Sequence, residues 1–290
     1  MVRIAAVQLH IDLKNIQKNW EKAEEYIRKA KAAGAELIVF PEFFLGGPKI
    51  TVENARTKLS ELAKKYEIDM VSGSYAEVVD NIVYNCSSYI DKDGNVLYNY
   101  RKVNLWAQET KKYTAGEGYG TVKTRFGITV GIAVCWDIAF SDGFTEMVMN
   151  QGAELICSPT YWTLEDSEQI GGLYEPDTEH KFIDSICTAR SFEYGVVMVF
   201  VNGAASPLPP PTIKPSTLIS KDIQPSRYGI LAGHTQITVP FRGAIAKCDH
   251  IYEDMIIQDV DVKKATKDIE SVYQLRQSWK TKLAKSAARL

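Results

Sequence analysis

The chain has 290 residues, 45% of them hydrophobic and 24% charged, with 34 Lys and Arg set against 36 Asp and Glu. That much apolar chain builds one large globular domain or two ordinary ones, and the near balance of charge leaves no whole-chain basic field for nucleic acid. No apolar run approaches the roughly 18 residues that a membrane-spanning helix needs. Gln8, His10 and Asp12 interrupt the first apolar stretch, so it does not read as a secretory signal. Cys86, Cys135, Cys157, Cys187 and Cys248 are an odd set with no close pair, and the four histidines are scattered. A disulfide framework and a zinc knuckle both fit poorly, and a reducing, cytoplasmic setting is expected.

Val2–Leu9 is apolar and reads as a buried strand. Ile16, Trp20, Ala23, Ile27 and Ala30 then recur at helical spacing, and Gly34 closes that helix. Leu37–Phe40 is a second buried strand, stopped by Pro41, and a helix is expected over Glu53–Lys65. Met70–Tyr75, Ile82–Ile90 and Val96–Tyr100 read as strands, the last two joined by the turn Asp91-Lys92-Asp93-Gly94. Thr129–Val134 is a strand, Asp142–Asn150 a helix and Leu155–Ser158 a strand again. Phe182, Ile186, Ala189 and Glu193 share a helix face before the strand Val196–Val201. Strands resume at Gln236–Pro240 and Met255–Val260, after a Pro-rich insertion over 206–229. Residues 1–262 are thus expected to form one domain, with 263–290 as a basic C-terminal arm. Alternating strands and helices with hairpins mixed in indicate a layered α/β protein. The run Gly34-Ala35-Glu36-Leu37-Ile38 recurs as Gly152-Ala153-Glu154-Leu155-Ile156, which is either the ordinary grammar of α/β units or the trace of two pseudo-symmetric halves.

Three reactive side chains stand where buried strands run out: Glu42 after Val39-Phe40-Pro41, Lys102 after Tyr100-Arg101, and Cys135 after Ile132-Ala133-Val134. Ligand sites of α/β sheets lie outside strand ends. Taken singly each has a plain structural explanation: a strand-end carboxylate, a surface basic pair, a small core filler. Taken together, in this order and context, they resemble the Glu-Lys-Cys set of the nitrilase or carbon-nitrogen hydrolase superfamily. The resemblance runs from Arg3-Ile4-Ala5-Ala6-Val7-Gln8 through Ala189-Arg190-Ser191-Phe192-Glu193-Tyr194 and Val201-Asn202. It resumes at Gly233-His234-Thr235-Gln236 and Asp259-Val260-Asp261.

What the resemblance implies is an amidase-type enzyme with a four-layer α-β-β-α sandwich, built as a homodimer or higher homo-oligomer, that needs neither metal nor organic cofactor. Cys135 would be the nucleophile, Glu42 the general base and acid, and Lys102 with the backbone N–H of Trp136 the oxyanion donors. A second Glu often follows the Lys in the family. Glu109 fits that place better than its rival Glu117. In the C-terminal arm, Tyr273, Leu275 and Trp279 are the apolar anchors that could reach a partner.

The substrate argument turns on a departure from the family pattern. Relatives acting on carboxylate-bearing substrates often carry an Arg three or four positions after the Cys, where this chain has Ile138 and Ala139. An apolar pair cannot compensate an anion. The expectation is therefore a neutral, apolar primary amide as the small-molecule partner, with Tyr161 and Trp162 joining Ile138 and Ala139 as pocket walls and Arg190 as another conceivable cation. Asp137, two positions after the Cys, favours amide over nitrile. The alternatives are a nitrilase, an omega-amidase or an N-carbamoyl hydrolase on the same triad, and, in another class, a catalytically silent interaction module.

Overall fold

The computed structural model describes residues 1–206 and 230–287. Within them run strands β1 (Val2–Gln8), β2 (Leu37–Val39), β3 (Asp69–Val71), β4 (Tyr75–Val79), β5 (Ile82–Ile90), β6 (Val96–Arg101), β7 (Thr121–Lys123), β8 (Thr129–Ile132), β9 (Leu155–Thr160), β10 (Val197–Asn202), β11 (Gln236–Val239), β12 (Gly243–Lys247) and β13 (Asp254–Val260). One sheet has the order β13-β1-β2-β3-β5-β4, with β6 also paired to β5; the other has the order β12-β11-β10-β9-β8-β7. Each sheet has a parallel centre, β1-β2-β3 in one and β8-β9-β10 in the other. Antiparallel strands flank both.

The helices are α1 (Ile16–Ala32), α2 (Ala55–Tyr66), α3 (Ser141–Phe144), α4 (Glu168–Tyr174), α5 (Thr178–Tyr194), α6 (Val262–Tyr273) and α7 (Leu275–Ala287). Alternation along β1 assigns the layers. Ala5 and Val7 pack with Ala23 and Ile27 of α1 and Leu59 and Ala63 of α2. Ile4 and Ala6 face the other way and share a core with Val130, Ile132 and Val199 of the second sheet. Helices α5 and α6 lie on the second sheet, against β10 and β11. The result is the α-β-β-α sandwich expected. Each fully buried aliphatic side chain contributes about 2 kcal/mol to it.

Several boundaries differ from the periodicity. The apolar stripe of α1 buries Asn19 in place of Trp20, because the Asn19 amide donates to the Asp12 and Leu45 carbonyls at 2.8 and 3.0 Å. The strand expected over Met70–Tyr75 is two strands, broken at Gly73. The helix expected over Asp142–Asn150 begins as α3 and continues as a π-helical turn, Thr145–Asn150. The repeated Gly-Ala-Glu-Leu-Ile runs occupy matching places, since Gly34 and Gly152 both sit at φ +79° and lead into the central strands β2 and β9.

From Pro207 on, the Pro-rich insertion lies outside the described residues. The basic C-terminal segment is helical. Val262, Thr266 and Ile269 of α6 are buried, and α7 returns to the chain through Arg276, which donates to the Ala153 carbonyl at 2.7 Å, and Trp279, which donates to Asn150 Oδ1 at 2.9 Å. Of the three anchors, Tyr273 is exposed while Leu275 and Trp279 are half-buried. No described helix is long and apolar enough to cross a membrane.

Candidate active site

Glu42 stands just past β2, in a turn clamped from below. Ser74 N–H donates to the Pro41 carbonyl at 3.3 Å, and Phe43 N–H donates to Ser74 Oγ at 3.2 Å. Between these contacts Gly73 sits at φ +64°, where a Cβ would come within 2.3 Å of the Pro41 oxygen, so only glycine lets the two segments pass. Glu42 N–H donates to the Thr160 carbonyl at 3.2 Å, and Tyr161 N–H donates to Glu42 Oε2 at 2.9 Å. Those two bonds join the end of β2 in one sheet to the end of β9 in the other.

Lys102 follows β6. Its N–H donates to the Asn85 carbonyl at 2.8 Å, and its carbonyl accepts from Gly116 N–H at 2.8 Å. The side chain is 1% exposed, and its ammonium lies 3.0 Å from Glu42 Oε1 and 2.6 Å from Glu109 Oε2. Glu109 opens a short 3₁₀ turn and also accepts from Trp106 N–H at 2.7 Å. Glu117 is exposed and does not line the cavity.

Sequence reasoning missed Asn85, which lies in β5 with its side-chain amide between the carboxylates. Nδ2 donates to Glu42 Oε1 at 2.7 Å and to Glu109 Oε1 at 2.8 Å. The acceptors on both sides fix which way the amide points, since reversing it would set oxygen against carboxylate. The available signal was a run of buried polar residues, Asn85, Ser87 and Ser88, within an otherwise β-prone stretch.

Cys135 follows β8 at φ +50°, a left-handed conformation that costs a non-glycine residue of order 1–3 kcal/mol. Asp137, in the 3₁₀ turn Cys135–Ala139, holds that bend. Its Oδ2 accepts from Val134 N–H at 2.9 Å and Tyr100 O–H at 2.7 Å, and its Oδ1 accepts from Asn104 N–H at 2.8 Å and Asn104 Nδ2 at 3.1 Å. Asp137 therefore ties the Cys135 turn to the segment just after Lys102.

Burial pushes the Glu42 carboxyl up to about 7, with Lys102 opposing the shift and Glu109 adding to it. Burial and the Glu42 charge hold the Cys135 thiol well above its ordinary value, against the pull of Lys102. Burial alone would lower Lys102, but Glu42, Cys135 and Glu109 raise it well above the usual range. At neutral pH the site thus holds a thiol, an ammonium and a carboxyl near half-ionisation. Ionising the thiol by itself is unfavourable here, so its proton has to leave as a new bond forms, and Glu42 is the group poised to take it.

Glu42, Lys102, Glu109 and Cys135 all line one cavity of about 260 Å³, walled by aromatic rings including Trp106, Tyr113, Trp136, Tyr161 and Trp162. That volume suits a small molecule, not a polymer. Trp162 is fixed by its Nε1–H, which donates to Glu179 at 2.6 Å, and by its N–H, which donates to Asn202 at 2.9 Å. The expected pocket walls Ile138 and Ala139 do not line this cavity: the Ile138 side chain is wholly buried in the hydrophobic core, and the turn carries Ala139 away. Arg190 is not a cavity cation either. Its Nε donates to the Ile138 carbonyl at 3.1 Å and its Nη2 to the Ala139 carbonyl at 3.0 Å, so it braces the turn from behind. The apolar character of residues 138 and 139 consequently says nothing about substrate charge.

The carbon-nitrogen hydrolase family model matches residues 3–269. A probable nitrilase of Schizosaccharomyces pombe is 27% identical over 277 residues, covering 90% of this chain and 89% of that protein. The human omega-amidase NIT2 is 30% identical over 181 residues, covering 56% of this chain and 64% of that protein. In three dimensions the chain is similar to Saccharomyces cerevisiae Nit3, a nitrilase-superfamily member, with a TM-score of 0.75, 19% identity and 94% of each chain covered. With the family model spanning nearly the whole chain, and strand ends converging on one buried cavity, the chain belongs to the carbon-nitrogen hydrolase family.

Proposed function

We propose that the protein hydrolyses the C–N bond of a small primary amide through a thioester on Cys135. The observation that carries this is the burial of Glu42, Lys102 and Cys135, from three separate segments, in one apolar cavity. As Sγ of Cys135 attacks the amide carbon, its proton passes to Glu42. The oxyanion that forms is held by the Lys102 ammonium and the Trp136 N–H. Glu42 then protonates the nitrogen as the C–N bond breaks, and ammonia leaves. Water enters, gives a proton to Glu42 and attacks the thioester; the tetrahedral adduct collapses with the sulfur as leaving group, and the Glu42 proton returns to it. The products are one carboxylic acid and one ammonia per amide. Glu109 touches the Lys102 ammonium and orients it.

Amide is preferred to nitrile in this proposal because Asp137 follows the Cys by two positions. A homodimer in the cytoplasm completes it. Supporting the dimer, Phe192, Phe241 and Tyr273 pack on one another at the surface while 45%, 55% and 48% exposed.

The test is ammonia release from neutral amides, carboxylated amides, carbamoyl amino acids and nitriles, beside Cys135→Ala. Turnover of amides that the variant abolishes, with an acyl adduct on Cys135 in the mass spectrum, is expected. Undiminished turnover by Cys135→Ala would overturn the mechanism, and an inert wild type would favour the silent module.

A further inference from the structure

We propose that the substrate carries an anionic group, a carboxylate in its simplest form, on the end remote from the scissile amide, and that Lys112 assisted by Lys49 receives it. This rests on the amidase reading above. Two lysines besides Lys102 line the cavity, Lys112 and Lys49. They belong to one corner: Lys112 Nζ donates to the Pro48 carbonyl at 3.4 Å, and Tyr113 O–H donates to the same carbonyl at 2.6 Å. Among the described residues no carboxylate pairs with either lysine, whereas Lys102 has two partners.

Within this corner the lysine, unlike the tyrosine, stands apart from the charges of the reacting groups. Tyr113 feels the charges of Glu109 and Glu42, while the Lys112 ammonium is perturbed by burial with no carboxylate acting against it. The Lys112 ammonium also lies over the Tyr113 ring, 5.0 Å from its centroid, but a half-buried cation with one long hydrogen bond and a ring contact still has unused donors and has lost part of its hydration. A carboxylate would supply the acceptors that the protein does not.

A cationic tail is the competing possibility, because Asp166 also lines the cavity. Both of its oxygens are already engaged: Oδ1 accepts from Thr163 Oγ1 at 2.6 Å and Oδ2 from Thr163 N–H at 3.1 Å. The acid of the pocket is thus spent on its own loop, and the free charge on the wall is positive. The anion site differs in place from the position after the nucleophile, where residues 138 and 139 point elsewhere.

The experiment compares three primary amides of similar length: glutaramate, with a carboxylate tail, butyramide, with a methyl, and 5-aminovaleramide, with an ammonium. Values of kcat/KM are measured for wild type, Lys112→Met and Lys112→Arg. Binding of each amide to Cys135→Ala and to Cys135→Ala/Lys112→Met is followed by titration calorimetry. A charge-assisted contact of ordinary strength predicts a glutaramate-to-butyramide ratio of about 10 to 100 in wild type. That ratio falls towards one in Lys112→Met and recovers in Lys112→Arg, and glutaramate affinity for Cys135→Ala falls in parallel. Hydrolysis with no preference for glutaramate, or a ratio that Lys112→Met leaves unmoved, overturns the anion site and spares the amidase. Lysine-dependent binding of glutaramate without hydrolysis does the reverse. Preference for 5-aminovaleramide overturns it in favour of Asp166, and neither binding nor turnover overturns both.

Discussion

Replacing Asn85 by Ala removes a donor from Glu42 without touching a group that reacts. In the native site the amide contributes a 2.7 Å hydrogen bond that favours the ionised carboxylate, and burial still leaves Glu42 at about 7. A hydrogen bond to a charged group is worth about 1.5–3 kcal/mol, which at 1.36 kcal/mol per pKa unit is about one to two units. The acid limb of kcat/KM, which reports ionisation of the free enzyme's base, should move up by that amount. For a shift of about 1.5 units, the fraction of base ionised at pH 7.5 falls from about three-quarters to about one-tenth. Activity there should drop roughly eightfold and return largely by pH 9.5. Cys135 and Lys102 both titrate well above their ordinary values, so neither cuts the recovery short. The assay is ammonia release from the best amide of the panel, at sub-saturating substrate, across pH 5.5–10, with a thermal melt at each end. A uniformly lower profile with its acid midpoint unmoved would refute the idea that Asn85 sets the protonation of Glu42, leaving it a packing role.

Three further perturbations follow from the same contacts. Glu42→Gln should be inactive yet more stable than wild type at pH 8, because the native carboxyl keeps its proton up to about 7 where the unfolded chain releases it at 4.5. The folded state binds more protons between those values, so this group's contribution declines as pH rises through that window. The gain is at most about 3 kcal/mol, or about 6–12 °C in Tm, and it vanishes below pH 4.5; a Tm difference that does not vary with pH would contradict it. Asp137→Asn puts an amide where four donors converge, so denaturant melts should show about 3 kcal/mol of lost stability and kcat should fall more than KM rises. Unchanged kcat would mean the Cys135 bend holds without Asp137. Arg190→Met should cost about 2 kcal/mol in a urea melt by freeing the Ile138 and Ala139 carbonyls, while the ratio of carboxylated to neutral amide turnover stays put. A changed ratio would return Arg190 to the pocket.

What the sequence revealed, and what it withheld, follows from the range of the interactions involved. Strand ends are local events, marked by an apolar run that stops, so Glu42, Lys102 and Cys135 could be singled out; alternation gave a layered α/β class, and the four layers came only with the family resemblance. Asn85 could not, because its significance lies in two carboxylates 43 residues before and 24 after it, which β5 happens to pass between. The error over Ile138 and Ala139 has a related origin. Counting positions after the nucleophile assumes that the chain keeps facing the cavity, but the turn from Cys135 is tight: Asp137 folds back onto Val134, and Ile138 drops into the hydrophobic core. Arg190, judged by charge alone, read as a cation in search of an anion. Two backbone carbonyls and the Glu193 carboxylate consume it, as a guanidinium beside a core requires. The lysines that line the cavity besides Lys102, Lys49 and Lys112, look in sequence like ordinary surface lysines. Their place beside the cavity comes from the Pro48 and Tyr113 corner, where Tyr113 O–H and Lys112 Nζ both reach the Pro48 carbonyl, and the anionic substrate proposed above rests on that corner.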